Sequence, residues 1–97
     1  MPTNLYNGLH EDKFRKMAKA AVVEYWNSNK ILTGKFGEIS SQKVFVVWQV
    51  KAIQNSKALL GVNVEGDGLY FEFTYNGDEK LGYLDVYKKQ KHVEIEY

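Results

Sequence analysis

The most regular hydrophobic pattern in the chain is the alternation over Lys43–Lys51, where β-branched and aromatic side chains fill one parity. The members of that parity are Val44, Val46, Trp48 and Val50. A period of two built from such residues is typical of a β-strand. Apolar residues also fill part of the other parity, so the pattern predicts a central strand or an edge strand covered on one side. We expect Trp48 to be buried, opposite Leu60 and against a helix.

A second pattern precedes this strand and has apolar residues at spacings of three and four. It predicts an amphipathic helix from about Gly8 to Ser28. Its stripe consists of Phe14, Met17, Ala18, Ala21, Val22 and Tyr25. Asn7 is placed to cap the first turn, and Asn27 or Asn29 is placed to end the helix. Residues 30–42 contain glycines and serines that break any period, which predicts a connector.

Further alternating stretches predict three strands, at Lys57–Glu65, Leu69–Tyr75 and Leu81–Lys88. A fifth strand is predicted at Val93–Tyr97. The apolar face of the helix and the apolar face of the sheet each need a partner, and each can cover the other. The sequence therefore predicts a single α+β domain over residues 1–97, with one N-terminal helix packed on a four- to five-stranded antiparallel meander sheet.

Turn residues support the meander. Asp67-Gly68 and Asn76-Gly77 favour two-residue hairpin loops, whose central positions need positive φ. We therefore expect a positive φ at Gly77. A two-residue loop at either place keeps the parity of Phe71 inward, whereas a slip of one residue would expose it. A four-residue loop at residues 76–79 keeps the same parity, so the length of this loop stays open.

Composition narrows the classes of function. The 97 residues contain no cysteine, which excludes disulfides, zinc–thiolate sites and thiol catalysis. The formal net charge of +1 argues against strong, charge-driven capture of nucleic acid. No apolar stretch approaches the length of a membrane span, and the first residues lack the pattern of a signal peptide. We expect a cytoplasmic protein that needs no cofactor and does not contact a membrane.

The third and fourth strands carry a second parity that is rich in tyrosine. Its candidate binding residues are Tyr70, Glu72, Tyr83, Asp85 and Tyr87. Tyrosine is enriched at interface hot spots because its ring adds apolar area and its hydroxyl adds a polar tip. The parity therefore indicates a surface for a protein partner or a second copy of the chain, and the alternative is ordinary cross-strand pairing that stiffens the sheet. Nothing in the sequence adds a nucleophile or an oxyanion donor to the carboxylates, so no catalytic residue is predicted.

Basic residues offer an alternative function, which is weak binding of nucleic acid. They form one cluster on the predicted helix and one after the fourth strand: Lys13, Arg15, Lys16, Lys19, Lys88, Lys89 and Lys91. With exposed tyrosines, these clusters could follow a single strand by charge and stacking. Such binding should be weak, because a net charge near zero leaves few phosphates to neutralise. It should also be salt-sensitive, because it depends on charge. His10 and His92 lack the spacing of metal ligands, so no metal site is predicted.

Several segments between Val44 and Lys89 carry a family resemblance. They are Val46-Val47-Trp48, Gln54-Asn55, Lys57-Ala58-Leu59-Leu60, Gly68-Leu69-Tyr70-Phe71-Glu72, Thr74-Tyr75-Asn76-Gly77-Asp78 and Tyr83-Leu84-Asp85-Val86-Tyr87-Lys88-Lys89. Together they resemble a small uncharacterised protein family encoded by phages and prophages of Gram-positive bacteria. The resemblance implies a phage context and the host cytoplasm, and it supplies no catalytic residue. We predict a non-enzymatic phage accessory protein that binds a host or phage protein. An inhibitor of a host defence system, such as an anti-CRISPR protein, is one concrete form.

Overall fold

The computed structural model describes residues 11–97 and has the predicted α+β fold. Helix α1 spans Glu11–Ser28, and a short helix α2 spans Lys30–Phe36. The four strands are β1 Val44–Ala52, β2 Asn55–Val62, β3 Leu69–Asn76 and β4 Leu81–Lys88. They pair in the order β1-β2-β3-β4 with every pair antiparallel, so the sheet is a meander. Among the described residues, no helix is long and apolar enough to cross a membrane.

Helix α1 forms because apolar side chains recur every four residues along one face. The buried row is Phe14, Ala18, Val22 and Trp26. Trp26 is completely buried, whereas Tyr25, which the sequence placed in the stripe, is 36% exposed. The buried row, whose members are four residues apart, therefore reaches Trp26, one residue beyond the predicted stripe. The expected start of the helix at Gly8 and its cap at Asn7 lie outside the described residues.

Residues 30–36 form a second helix, so the prediction of a connector is wrong for this part of the chain. Asn29 starts α2, because its side-chain oxygen accepts hydrogen bonds from the backbone N–H groups of Ile31 at 3.0 Å and Leu32 at 3.1 Å. Such a cap stabilises a helix by about 1 kcal/mol. That gain offsets Gly34, whose penalty inside a helix is also about 1 kcal/mol.

Side-chain hydrogen bonds hold the segment after α2 against α1. The indole N–H of Trp26 donates to the carbonyl of Gly37 at 3.0 Å. The Asn27 amide bonds both backbone groups of Ile39, donating to its carbonyl and accepting from its N–H, each at 2.9 Å. Ile39 is buried as a result, and the chain then passes through a single 3-10 turn at Ser41–Lys43 into β1.

Helix α1 packs on one side of the sheet, which we call the inner face. Alternate residues of β1, β2 and β3 are buried there: Val44, Ala58, Leu60, Val62, Phe71 and Phe73. Two aromatic contacts fix the helix on this face. The ring centroids of Phe14 and Phe73 lie 5.8 Å apart, and those of Tyr25 and Phe71 lie 6.0 Å apart in an edge-on arrangement. The core is therefore one continuous layer between α1 and the sheet.

A β-bulge at Val47 interrupts the register of β1 and β2. Val46 lies opposite Leu60, but Trp48 lies opposite Leu59, so Val47 is one residue more than β2 can pair. An extra residue reverses which side chains point to which face. Trp48 therefore points away from the helix and is 43% exposed. The prediction that Trp48 is buried opposite Leu60 is wrong.

After the bulge, the inner parity of β1 is polar. Gln49 takes the inward position opposite Ala58. Its side-chain oxygen accepts a hydrogen bond from Nε of Arg15 on α1 at 3.2 Å. Val50, which was expected inward, is 55% exposed on the other side. The bulge therefore moves a polar contact into the helix–sheet layer and moves apolar side chains out of it.

The loop between β2 and β3 is longer than the two-residue turn predicted at Asp67-Gly68. It comprises residues 63–68, because Phe71 pairs with Leu60. Gly66 and Gly68 have φ values of 87° and 65°. This backbone region favours glycine, so the two residues let the chain reverse within a wider loop. The predicted parity of Phe71 is kept because the register differs by an even number of residues.

The loop between β3 and β4 has four residues, 77–80, because Asn76 pairs with Leu81. The Asn76 side-chain oxygen accepts hydrogen bonds from two backbone N–H groups of the loop, at 3.0 and 3.2 Å. The prediction of a positive φ at Gly77 is wrong, and the positive φ of this loop is the 56° of Lys80. Asn76 and Lys80 therefore make the turn, as a capped helical turn rather than a tight hairpin.

Glycine is required at position 77 because the surroundings leave no room for a side chain, and not because of its backbone conformation. It is buried, and its N–H donates to the carbonyl of Gln54 at 3.0 Å. A Cβ added at Gly77 would lie only 2.4 Å from that carbonyl oxygen. The β3–β4 loop and the β1–β2 turn are thus packed backbone against backbone.

The predicted fifth strand at Val93–Tyr97 does not form. Residues 89–97 have neither helix nor strand, and their side chains are exposed. A strand that followed β4 directly would need a reversal within Lys89–His92. That stretch lacks the glycine, asparagine or aspartate that hairpin loops favour.

Candidate protein-binding surface

The side of the sheet that points away from α1 is open, and we call it the outer face. It carries apolar side chains from all four strands: Phe45, Trp48, Val50, Leu59, Tyr70, Tyr83 and Tyr87. Most monomeric proteins expose such residues singly rather than together. The outer face is therefore the strongest candidate for a binding surface in the described part of the chain.

The five residues predicted from the sequence lie together on the β3–β4 half of this face. Tyr70 pairs with Tyr87 across the strands, and Glu72 pairs with Asp85. Their exposed fractions are 41% for Tyr70, 46% for Tyr83 and 51% for Tyr87. Half-buried rings of this kind are held by the sheet and still offer one side to a partner.

A carboxylate pair lies between the tyrosine rings. Glu72 accepts a hydrogen bond from the Tyr87 hydroxyl at 3.2 Å, and its other oxygen lies 3.7 Å from Nζ of Lys57. The Asp85 carboxylate forms no hydrogen bond or ion pair with the described residues. The hydrogen bond to Glu72, followed by the charge of that carboxylate, raises the pKa of Tyr87. The middle of the β3–β4 half of the face is therefore negatively charged and only partly neutralised.

Tyr83 is oriented by the loop beside it. Its hydroxyl donates a hydrogen bond to Oε1 of Glu79 at 2.9 Å. This hydrogen bond raises the pKa of Tyr83, and burial and the charge of Glu79 act in the same direction. Glu79 is itself placed by Asn76, whose side-chain oxygen caps the loop. The ring is thus held in position before any partner binds, which reduces the entropy lost on binding.

The β1 half of the outer face was missed by the sequence reasoning. Trp48 reaches it because of the bulge at Val47, and Phe45 lies across Gly61 of β2. A Cβ at Gly61 would lie 2.5 Å from the Phe45 ring, so the glycine provides a flat seat for that ring. One signal pointed to this half: β1 has apolar residues at both parities, and a single helix can cover only one of them.

The predicted basic cluster of α1 does not join the outer face. Lys13, Lys16 and Lys19 belong to α1, which packs on the inner face. Arg15 bonds Asp12 at 2.9 Å and contacts Gln49. Lys88 pairs with Leu69 at the inner parity, at the end of β4. Lys89 continues the pairing of β4 and lines a pocket with Phe45 and Tyr70 of the outer face. Lys91 follows in the exposed C-terminal segment. The α1 cluster and the tyrosines are therefore on opposite sides of the sheet.

Comparison with known proteins gives one family. The profile of the Family of unknown function (DUF6275) matches residues 15–97, which is most of the chain. Neither the comparison with curated proteins nor the one with solved structures gave a match. The match extends from the first turns of α1 through the whole sheet and the C-terminal segment.

Proposed function

The chain belongs to this family of unknown function, and we propose that it is a non-enzymatic binding module that docks a protein through the outer face of its sheet. The observation that carries the proposal is the set of aromatic residues held half-exposed on the outer face of the sheet. Tryptophan and tyrosine are the residue types that most often dominate binding energy at protein interfaces. The partner therefore contributes apolar side chains that cover these rings.

Charge on the outer face indicates the chemistry of the partner. Glu72 and Asp85 lie side by side in the middle of its β3–β4 half, and Lys57 is the one basic residue that the four described strands place on this face. A pair of carboxylates flanked by tyrosine side chains suits an arginine, whose guanidinium group forms hydrogen bonds with carboxylates and stacks on aromatic faces. We propose a partner surface with an arginine surrounded by apolar residues.

Nucleic acid is the alternative ligand, and a four-stranded sheet with exposed aromatic rings is a geometry on which bases can stack. Two observations favour a protein. The lysines of α1 lie on the other side of the sheet, so they cannot bind the phosphates of a strand stacked on the tyrosines. The carboxylates between the tyrosines of β3 and β4 would also repel a phosphate backbone.

The resemblance to phage-encoded proteins gives the proposal a narrower form. In that form, the outer face covers a basic surface of a host defence protein and blocks its action, as an anti-CRISPR protein would. The test is phage plating on a host with an active defence system. The chain should restore plaques, and the variant Tyr70→Ala/Tyr83→Ala should not.

The direct test uses site-specific photocrosslinking. A benzoylphenylalanine at Tyr83 should capture one protein in host cells, and the same group at Ile31, an 80% exposed residue on α2, should not. The captured protein is then purified and titrated with the chain by calorimetry. Tyr70→Ala/Tyr83→Ala should weaken binding at least about 100-fold if both are hot spots, while circular dichroism shows an intact fold.

Three outcomes would contradict the proposal. Equal capture from both positions would show that the crosslinking is non-specific. Unchanged affinity of the double variant would place the binding surface elsewhere. Tight binding of a fluorescent single-stranded oligonucleotide, lost in the same double variant, would assign the outer face to nucleic acid.

A further inference from the structure

The two edge strands of the sheet differ in regularity. β1 is interrupted by the bulge at Val47. β4 pairs with β3 through eight consecutive residues without a register shift, and its other edge has no strand partner in the described part of the chain. A bulge protects an edge from pairing with another strand, whereas a long regular edge acts as a template. β4 is therefore the edge at which a further strand can add.

The inner side of β4 is also incompletely covered. An open groove of about 530 Å³ runs between α1 and β4, with Ala21, Tyr25, Phe73 and Leu84 among its lining residues. Val86, the next inward residue of β4, is 38% exposed. A strand added at the β4 edge would therefore find apolar side chains to pack against on this side.

A matching segment lies at the C-terminal end of the chain. Residues 93–97 read Val-Glu-Ile-Glu-Tyr, a strict alternation of apolar and acidic residues. The apolar members are highly exposed, with Val93 at 62% and Ile95 at 64%, and Tyr97 is fully exposed. The alternation is that of a strand with one buried side. The segment thus has the pattern of a strand and lacks the sheet that would bury it.

This segment does not reach its own β4. Lys89 still continues β4, because its N–H donates to the carbonyl of Gly68 at 2.7 Å. Only residues 90–92 are left to reverse the chain, and none of them favours a hairpin turn. If residues 90–92 stay extended and do not reverse, they carry the segment away from its own sheet, where it can meet another molecule.

We propose that residues 93–97 of a second copy of this chain add to β4 as a fifth strand, and that the exchange is reciprocal. Val93, Ile95 and Tyr97 enter the groove beside Leu84 and Val86, and the two glutamates point to the other side. Because each copy gives one strand and receives one, a two-fold symmetric dimer forms both contacts at once. This contact uses the β4 edge, so it is independent of the proposed binding by the outer face.

The oligomeric state tests the proposal. Light scattering after size-exclusion chromatography should give the mass of a dimer for the unmodified chain at high concentration. Ile95→Glu puts a charge into the groove and should give a monomer, whereas Glu96→Gln, one position away at the opposite parity, should stay dimeric. A monomer at every concentration, or a dimer that survives Ile95→Glu, would overturn the proposal.

Crosslinking then identifies the surface. The natural chain has no cysteine, so a variant with Val86→Cys and Ile95→Cys carries only the two introduced thiols. A short bismaleimide should join them between chains. A link within one chain would show that the segment folds back on its own β4, which would overturn the exchange. Tyr70→Ala/Tyr83→Ala should still dimerise, and loss of the dimer there would place the contact on the outer face instead.

Discussion

The inner and outer faces of the sheet are made by the same strands, and β3 shows how differently they are used. Phe71 is completely buried under α1, while Tyr70, its neighbour in the chain, is 41% exposed on the other side. Phe73 is 5% exposed, and Thr74 follows at the outer parity. The inner face holds the fold together, and the outer face keeps large rings available. Substitutions at adjacent positions of one strand can therefore test stability and binding separately.

The largest effect is expected from removing a ring of the inner face. Phe71→Ala should lower the free energy of unfolding by about 3–5 kcal/mol, because it leaves a cavity between α1 and the sheet. Tyr70→Ala, the matched control, should lower it by less than about 1 kcal/mol, which is typical of an exposed cross-strand pair. Urea unfolding followed by circular dichroism measures both. Similar losses for the two variants would show that the outer face also stabilises the fold.

A smaller effect is expected at Gly77, where buried backbone leaves no room for a side chain. Gly77→Val should destabilise the protein by about 1–3 kcal/mol, because its Cβ would meet the carbonyl oxygen of Gln54. Gly34 in α2 is the contrasting position, with no atom near a Cβ. Gly34→Ala should stabilise α2 by about 0.5–1 kcal/mol. Thermal unfolding of both variants checks the opposite signs.

The two tryptophans sharpen the comparison through their fluorescence. Trp26 is completely buried, and Trp48 is 43% exposed on the outer face. In Trp48→Phe the remaining fluorescence should be blue-shifted and poorly quenched by iodide. In Trp26→Phe it should be red-shifted and readily quenched. The reverse result would mean that the bulge is absent and that Trp48 faces α1. Binding of a partner to the outer face should protect Trp48 alone.

The smallest effect concerns the tyrosine hydroxyls. The hydrogen bond to Glu79 raises the pKa of Tyr83 above its ordinary value of 10.0. The folded protein therefore keeps this proton more tightly than the unfolded chain. The resulting stabilisation is complete below pH 10 and is lost as the pH rises through the raised pKa. Glu79→Gln should bring the pKa of Tyr83 down, as an NMR titration of the labelled ring would show, and should leave the raised pKa of Tyr87, which depends on Glu72, unchanged.

The helix α1, the order of the four strands and the parity of β2, β3 and β4 could be predicted from the periodicity of apolar residues. Loop lengths could not, because lengths that differ by two residues give the same parity, and Phe71 is inward in each case. The bulge could not be seen either. The segment Val46-Val47-Trp48 fits a regular strand as well as a bulged one. Only the pairing with β2 shows that Val47 is extra. Periodicity does not reveal α2, because the glycines and serines of residues 30–42 interrupt it, and the cap by Asn29 that stabilises the helix is a local hydrogen bond.

The same reasoning explains what could be predicted of the candidate site. Tyr70, Glu72, Tyr83, Asp85 and Tyr87 belong to a hairpin, and even changes in register cannot separate their faces. Trp48 and Phe45 belong to a strand whose parity changes within it. Their membership of the outer face depends on one pairing irregularity and on the seat at Gly61. The pattern of apolar and polar residues within β1 contains neither of these two features.

The bulge at Val47 has a genetic consequence. Loss of this single codon would remove the residue that β2 does not pair, so β1 and β2 would pair regularly. Val46 would still face α1 and Trp48 would still point to the outer face, because all other pairs of the two strands are kept. The edge of β1 would change instead, because a bulge protects an edge from a further strand and a regular edge acts as a template for one. A single in-frame deletion at this codon should therefore make the protein more prone to associate edge to edge, although no amino acid would be replaced.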